Sequence, residues 1–235
     1  MSDDAVIWHD LECGAYTADL PFWIEIARDV RGSVLDIGAG TGRVALALAR
    51  AGCAVIALER DASLAQELAR RARGLPVEVI VADACDFDLA APAALALVPM
   101  QTIHLLEDRT AFLSCARRAL APGAILAVAL LGEGVEPFEL ELDADSVELD
   151  GVRYESTPTA LRRDRGSVMI ERRRSKIAGN GGSRTHEDIV RLHELDAQTL
   201  GREAAAHGLV ALSVHRVAPT REHAGSEIVV LEVPR

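Results

Sequence analysis

A chain of 235 residues suits one large α/β or all-β unit better than two domains. Hydrophobic residues make up 49% and charged residues 26%, enough apolar content for a sizeable core, which excludes disorder as the dominant state. A net charge of −11 and an aromatic content of 3% argue against a nucleic-acid partner, which needs positive potential and stacking rings. The first ten residues hold Asp3, Asp4 and Asp10 and no lysine or arginine, unlike a secretory or transit peptide. The most apolar stretch, Ala121 to Leu131, is too short to span a bilayer and contains Pro122 and Gly123, so no membrane partner is expected. Cys13, Cys53, Cys85 and Cys115 form no C-x-x-C pair. They read as reduced thiols of a cytoplasmic protein, with no metal site.

In chain order, residues 1–32 read as an N-terminal lid or helix. Ser33 to Ile37 is a buried strand, followed by a glycine-rich turn and a helix over Arg43 to Ala51. Ala54 to Leu58 is a strand, Ser63 to Arg73 a helix and Val77 to Val81 a third strand. Ala94 to Val98 is a weaker fourth strand. Glu107 to Leu120 is a helix stopped by Pro122-Gly123, and Ala124 to Leu131 is a fifth strand. Strands this apolar are covered on both faces, which predicts a doubly wound parallel sheet.

From Gly132 the pattern changes to period two, in Phe138 to Leu142, Val152 to Thr157 and Val168 to Arg174. That predicts an antiparallel β insertion with one wet face, at about residues 133–186 of a domain running from 33 to 235. Eight acidic and no basic residues lie between Glu133 and Asp150. Between Leu161 and Ile177 lie Arg162, Arg163, Arg165, Arg172, Arg173, Arg174 and Lys176. The two blocks are expected either to pair across neighbouring strands or to be solvated separately. A helix over Ala197 to His207 and strands Val210 to Val217 and Ile228 to Val233 close the chain.

The chemistry is concentrated in Val34-Leu-Asp-Ile-Gly-Ala-Gly-Thr-Gly-Arg43. Gly38, Gly40 and Gly42 follow a buried strand and open a helix, so the backbone can turn tightly against a ligand. Arg43 stands where a dinucleotide fingerprint has its third glycine, which disfavours a pyrophosphate there. Glu59 ends the second strand, where an acid can accept from ribose hydroxyls. Asp83 ends the third, where it can accept from an adenine amine. Three sites in register along one sheet edge define a crevice at the carboxyl ends of the strands.

These segments resemble the class I S-adenosylmethionine-dependent methyltransferases. Val34–Arg43 matches that family's first motif, Ala57-Leu-Glu-Arg60 the second and Val81–Phe87 the third. Pro99-Met-Gln-Thr-Ile-His104 stands at the fourth, and Ala119-Leu-Ala-Pro-Gly-Ala124 resembles the turn before the fifth strand. The resemblance covers about Tyr16 to Val233. It implies a Rossmann-like seven-stranded sheet with the last strand antiparallel, and S-adenosyl-L-methionine as cofactor. Asp36, Gly38, Ala39, Gly40 and Gly42 would then face the methionine moiety, and Glu59 with Arg60 the ribose. Asp83, Ala84, Cys85, Pro99 and Met100 would border the adenine and the space beside it. The segment Tyr16 to Trp23 resembles the lid of small-molecule members, so Tyr16 and Trp23 are expected at the cofactor. A helix started by Pro21 and stapled by apolar residues is the other reading of that segment.

There is no Asn/Asp-Pro-Pro-Tyr at the fourth strand, so amino groups of DNA bases are not implied as substrate. In-line methyl transfer needs alignment and exclusion of water, and a general base only where the acceptor is protonated. His104 and His193 are the base candidates, and Gln101 and Arg191 the substrate contacts. The insertion and the lid are expected to form the acceptor pocket, with Arg191 and His193 facing the methyl group. The partner expected is a small molecule, with a homodimer left open. A nicotinamide-dependent oxidoreductase and a non-catalytic binding module on the same fold remain alternatives.

Overall fold

The computed structural model describes residues 4–132, 137–139, 143–220 and 225–235. The described chain divides into two compact units. One comprises 1–15 with 134–194, the other 16–133 with 195–235. The N-terminal stretch drawn from the sequence as one piece therefore divides between Ala15 and Tyr16.

The larger unit begins with α2 (Leu20–Ala27), which carries a proline in its first turn, after a first helix α1 (Asp4–Cys13) that belongs to the smaller unit. Its sheet is formed by β1 (Val34–Ile37), β2 (Val55–Glu59), β3 (Val77–Val81), β4 (Ala93–Val98), β5 (Leu120–Leu131), β11 (Val210–Val217) and β12 (Ser226–Glu232). The order is β11-β12-β5-β4-β1-β2-β3, parallel from β5 to β3, with β12 antiparallel to both neighbours. The seven-stranded sheet with an antiparallel last strand is the one implied by the resemblance. The order reverses between β1 and β4, and sheets of this kind bind ligands beside that switch point.

Helices α3 (Arg43–Arg50), α4 (Ala62–Arg71), α5 (Arg109–Ala119) and α6 (Ala197–Ala206) connect the strands. Two apolar clusters cover the sheet. Leu35 and Ile37 pack with Phe112, Leu113 and Leu126, whereas Val34 packs with Trp23, Val44, Leu48 and Leu97. Asp61, Asp108 and Asp196 cap α4, α5 and α6 by accepting first-turn amides at 2.7 to 3.2 Å, each contributing about 1 kcal/mol. No side chain caps α3, whose N-cap is Gly42 at φ 102°.

The smaller unit is an antiparallel sheet of β6 (Phe138–Glu139), β7 (Asp145–Leu149), β8 (Val152–Asp164), β9 (Ser167–Ala178) and β10 (Ser183–His193). The remainder of the strand expected over Phe138 to Leu142 lies outside the described residues. The insertion runs past residue 186, because β10 stays in register with β9 from Ser183 opposite Ile177 to His193 opposite Ser167. α1 lies on this sheet. Its Trp8 ring meets Tyr154 edge-on at 5.3 Å.

The basic block pairs with acids outside 133–150 as well. Arg174 binds Glu12 of α1 at 2.7 Å and Asp188 of β10 at 2.8 Å, and Lys176 binds Asp4 at 2.8 Å. Arg162 binds Glu171 at 2.8 Å, on the adjacent strand. A contact with the acidic block is Arg172 to Asp145, at 3.9 Å. β7 pairs with the start of β8, five residues short of Leu161, whereas β6 pairs Phe138 with Leu161, so the two blocks meet on facing strands only at that end.

Candidate active site

The first turn after β1 is built from protein contacts before any ligand is considered. A side chain at Gly38, which has φ 75°, would place its Cβ 2.5 Å from the Thr102 methyl. At Gly42 a Cβ would collide with Leu68 and Leu46. The amides of Gly38 and Ala39 donate to Leu58 O at 2.8 and 3.0 Å, fastening the turn to β2.

Glu59 sits at the end of β2 and is 8% exposed. One carboxylate oxygen accepts the Gly40 amide at 2.8 Å and the other the Asp61 amide at 2.8 Å. It thus ties the glycine turn to the start of α4. The sequence placed this acid at a strand end, and the turn folded over it makes it buried. Arg60, the next residue, is exposed. Asp83 is exposed, and its Oδ1 accepts the Cys85 amide at 2.8 Å. The Cys85 thiol is pushed up to about 11 by burial and by Asp83, which keeps it a thiol and not a nucleophile. Ala84 is buried beside it.

Asp36 is the unusual group. It is wholly buried on β1, and among the described residues neither carboxylate oxygen has a hydrogen-bond partner within 3.5 Å, the Ala45 amide being the nearby donor. Burial pushes its carboxyl up to about 7, opposed by Arg43 and by the nearby Ala45 amide and helped by Glu59 and Asp19. Buried polar atoms are almost always paired, so an orphaned carboxylate marks a place for a group from outside the chain.

Arg43 is the residue that sequence reasoning read only as a missing glycine. Its guanidinium donates to Asp19 Oδ2 at 2.8 Å and to the Tyr16 carbonyl at 2.9 Å, and lies 5.1 Å from the Tyr16 ring centre. Asp19 is buried and accepts the Trp23 indole N–H at 2.8 Å. Trp23 is fully buried in the core with its one donor satisfied, on a helix that carries a proline in its first turn. Tyr16 is buried beneath the same network, and burial raises its phenol pKa. Asp19 had no sequence signal beyond its position before Leu20-Pro21.

On the other side of the switch point, Pro99 is buried, Met100 has φ 53° and Gln101 is half-buried. His104 is 3% exposed, and its Nε2 accepts the Leu131 amide at 2.9 Å. That lone pair is therefore committed to the backbone. Arg191 and His193 belong to the smaller unit, on one face of β10, the first exposed and the second half-buried.

A doubly wound sheet of order 3-2-1-4-5 with an antiparallel hairpin at its far edge, and a glycine turn with acids in register, is the fold of the class I methyltransferases. Residues 34–123 match the model of a methyltransferase domain family. The chain is 39% identical over 107 residues to ribosomal RNA small subunit methyltransferase A of Deinococcus radiodurans, which covers 44% of this chain and 34% of that protein. The match thus spans about a third of the relative's length. Among solved structures, the sugar N-methyltransferase KedS8 from Streptoalloteichus sp. superposes with a TM-score of 0.79 at 19% identity, covering 100% of this chain and 93% of that one. The amino pentose methyltransferase CalS10 of Micromonospora echinaspora, solved with S-adenosylmethionine bound, gives 0.70 at 21% identity, covering 96% and 91%.

Proposed function

We propose that this protein is an S-adenosylmethionine-dependent methyltransferase acting on a small molecule. The observation that carries the reading is Asp36. A buried carboxylate without a partner, next to the helix α3 that no side chain caps, suits a zwitterionic amino-acid moiety, whose ammonium meets the acid and whose carboxylate meets first-turn amides. The same carboxylate disfavours the pyrophosphate of a nicotinamide cofactor. Glu59 holds the glycine turn and has lone pairs left for ribose hydroxyls, and Asp83 stands one strand further out for the adenine.

When bound, the cofactor supplies an electrophilic methyl group on a sulfonium. The chain's own residues would orient it and exclude water, and Gln101, next to the Thr102 whose methyl lies over Gly38, would border the acceptor. Small-molecule substrates suit the acidic net charge and the two full-length structural neighbours, which act on sugars. The ribosomal RNA relative matches over too little of its length to bring its substrate with it. A cytoplasmic location fits the four cysteines, none of which is in a disulfide. No helix among the described residues is long and apolar enough to cross a membrane.

Isothermal titration is expected to give micromolar binding of S-adenosylmethionine and S-adenosylhomocysteine, and no heat with NAD. Binding of NAD in place of both would reverse the assignment to an oxidoreductase. Radiolabelled methyl transfer to a panel beginning with aminosugars then identifies the acceptor. A protein that binds the cofactor and transfers to nothing across a broad metabolite panel would be a binding module.

A further inference from the structure

We propose that His104 is a positioning residue, whose Nε2 bond to Leu131 pins the Met100–Gln101 corner at the switch point between β1 and β4. The purpose of that pinning rests on the methyltransferase reading; the pinning itself rests on the following contacts. β5 runs three residues beyond the last rung it shares with β4, Val98 opposite Val128. The Leu131 amide thus lies past the end of β4, and the His104 ring gives it an acceptor at 2.9 Å.

The segment between is tightly held. Met100 adopts φ 53°, a conformation that residues other than glycine keep only where their surroundings impose it. Thr102 Oγ1 donates to Pro99 O at 3.0 Å, and the Thr102 methyl occupies the space over Gly38. The His104 amide donates to Gln101 O at 2.9 Å, and Ile103 is fully buried. Both ends of the corner are therefore fastened, one to the glycine turn of β1 and one to the tip of β5. Because Nε2 accepts, the imidazole is neutral with its proton on Nδ1. The Nε2 lone pair that a general base would use is already spent, so His104 acts through Met100 and Gln101.

The test uses the full chain with 13C-methyl methionine, which gives three signals, from Met1, Met100 and Met169. S-adenosylhomocysteine is the probe, with its affinity measured in parallel by calorimetry. In the wild type, the Met100 methyl is expected to give one dispersed resonance that moves on addition of the probe. His104→Ala should broaden or split that resonance and weaken the probe about 5-fold or more, while Met169, on β9 of the smaller unit, keeps its shift. His104→Gln, whose amide oxygen can accept the Leu131 N–H, should restore both to within about 2-fold. A Met100 signal and probe response unchanged in His104→Ala overturn the proposal, as does a glutamine variant as impaired as alanine. Should His104→Ala fail to fold, 15N imidazole spectra of the wild type decide: a protonated Nε2 overturns the assignment, and an unprotonated Nε2 coupled to the Leu131 amide supports it. If the probe does not bind the wild type, the methyltransferase reading fails, and the Met100 resonance in the variants still tests the pinning.

Discussion

Asp36→Asn is expected to make the cofactor-free protein more heat-stable at pH 8 and, in the same variant, to weaken S-adenosylmethionine binding. The buried carboxyl rises from its ordinary 3.8 to about 7, chiefly through burial. A folded pKa above the unfolded one means that the native state binds the proton more tightly. The associated stability is complete below about pH 4 and is lost as pH rises through about 7. A rise of about three units corresponds to about 4 kcal/mol at 1.36 kcal/mol per unit. Asparagine cannot ionise, so it escapes this loss. Its amide still leaves polar atoms unsatisfied in a buried place, which offsets about half the gain. About 2 kcal/mol net corresponds to about 4–8 °C in a chain of this size. Calorimetric scans should show the gap between variant and wild type widening from pH 4 to 7 and levelling above it. Binding should weaken about 10- to 100-fold at pH 8, the equivalent of a lost hydrogen bond to a charged group. Wild-type affinity in the variant would remove Asp36 from the cofactor site. A lower Tm at pH 8 would show that the carboxylate is satisfied in the empty protein.

The same contrast explains what was legible in the sequence. The strands β1 to β3 and the helices α4 to α6 are written locally, in apolar runs, period and aspartate caps, and local structure agrees with tertiary structure there. Ala94 to Val98 looked weak because alanine is a poor strand former, but the strand, Ala93–Val98, lies between β1 and β5 in the sheet, where burial decides. Pro122-Gly123 read as the stop between a helix and a strand, whereas β5 already begins at Leu120 and absorbs the pair in a register shift against β4. The polar run Ser183 to Asp188 lacked an apolar alternation, yet it is strand because Arg174 and Ser175 meet Asp188 and Thr185 across the ladder. At the site, the residue types near the cofactor were legible in the motif spacing. The salt-bridged set of Asp19, Arg43 and Trp23 was not, because its members are up to 24 residues apart and carry no periodic signature. His104 was visible as a histidine after the fourth strand, but only the position of Leu131 shows where its lone pair goes.

Glu59→Ala is expected to lower both cofactor affinity and stability, and Glu59→Gln to behave nearly as badly as alanine. A carboxylate at an exposed strand end could be removed with the fold intact. Here it accepts two amides, the buried one of Gly40 and the part-buried one of Asp61, each at 2.8 Å. A hydrogen bond to a charged group contributes about 1.5–3 kcal/mol, and the amides left behind lose their acceptor. Some water will reach them, so a net loss of about 2–4 kcal/mol is expected, or about 4–16 °C in Tm. Glutamine has the right length but one acceptor oxygen and one NH2 group. It can take the Gly40 amide or the Asp61 amide, and whichever remains then faces an N–H donor. Glu59→Asp keeps both acceptors on a side chain one methylene shorter, which cannot reach both amides without moving the turn. The order expected for stability is wild type, then Asp, then Gln and Ala close together. The cofactor adds a second requirement, because the lone pairs left on the same two oxygens would serve the ribose hydroxyls. Titration of S-adenosylhomocysteine into each variant, at a temperature where near-ultraviolet circular dichroism shows it folded, should give losses of about 30-fold or more for Ala and Gln, roughly 2 kcal/mol. Wild-type affinity and Tm in Glu59→Gln would mean that neither amide depends on the second oxygen. Normal affinity with a lowered Tm would confine Glu59 to holding the glycine turn and move the ribose contact elsewhere on the strand ends.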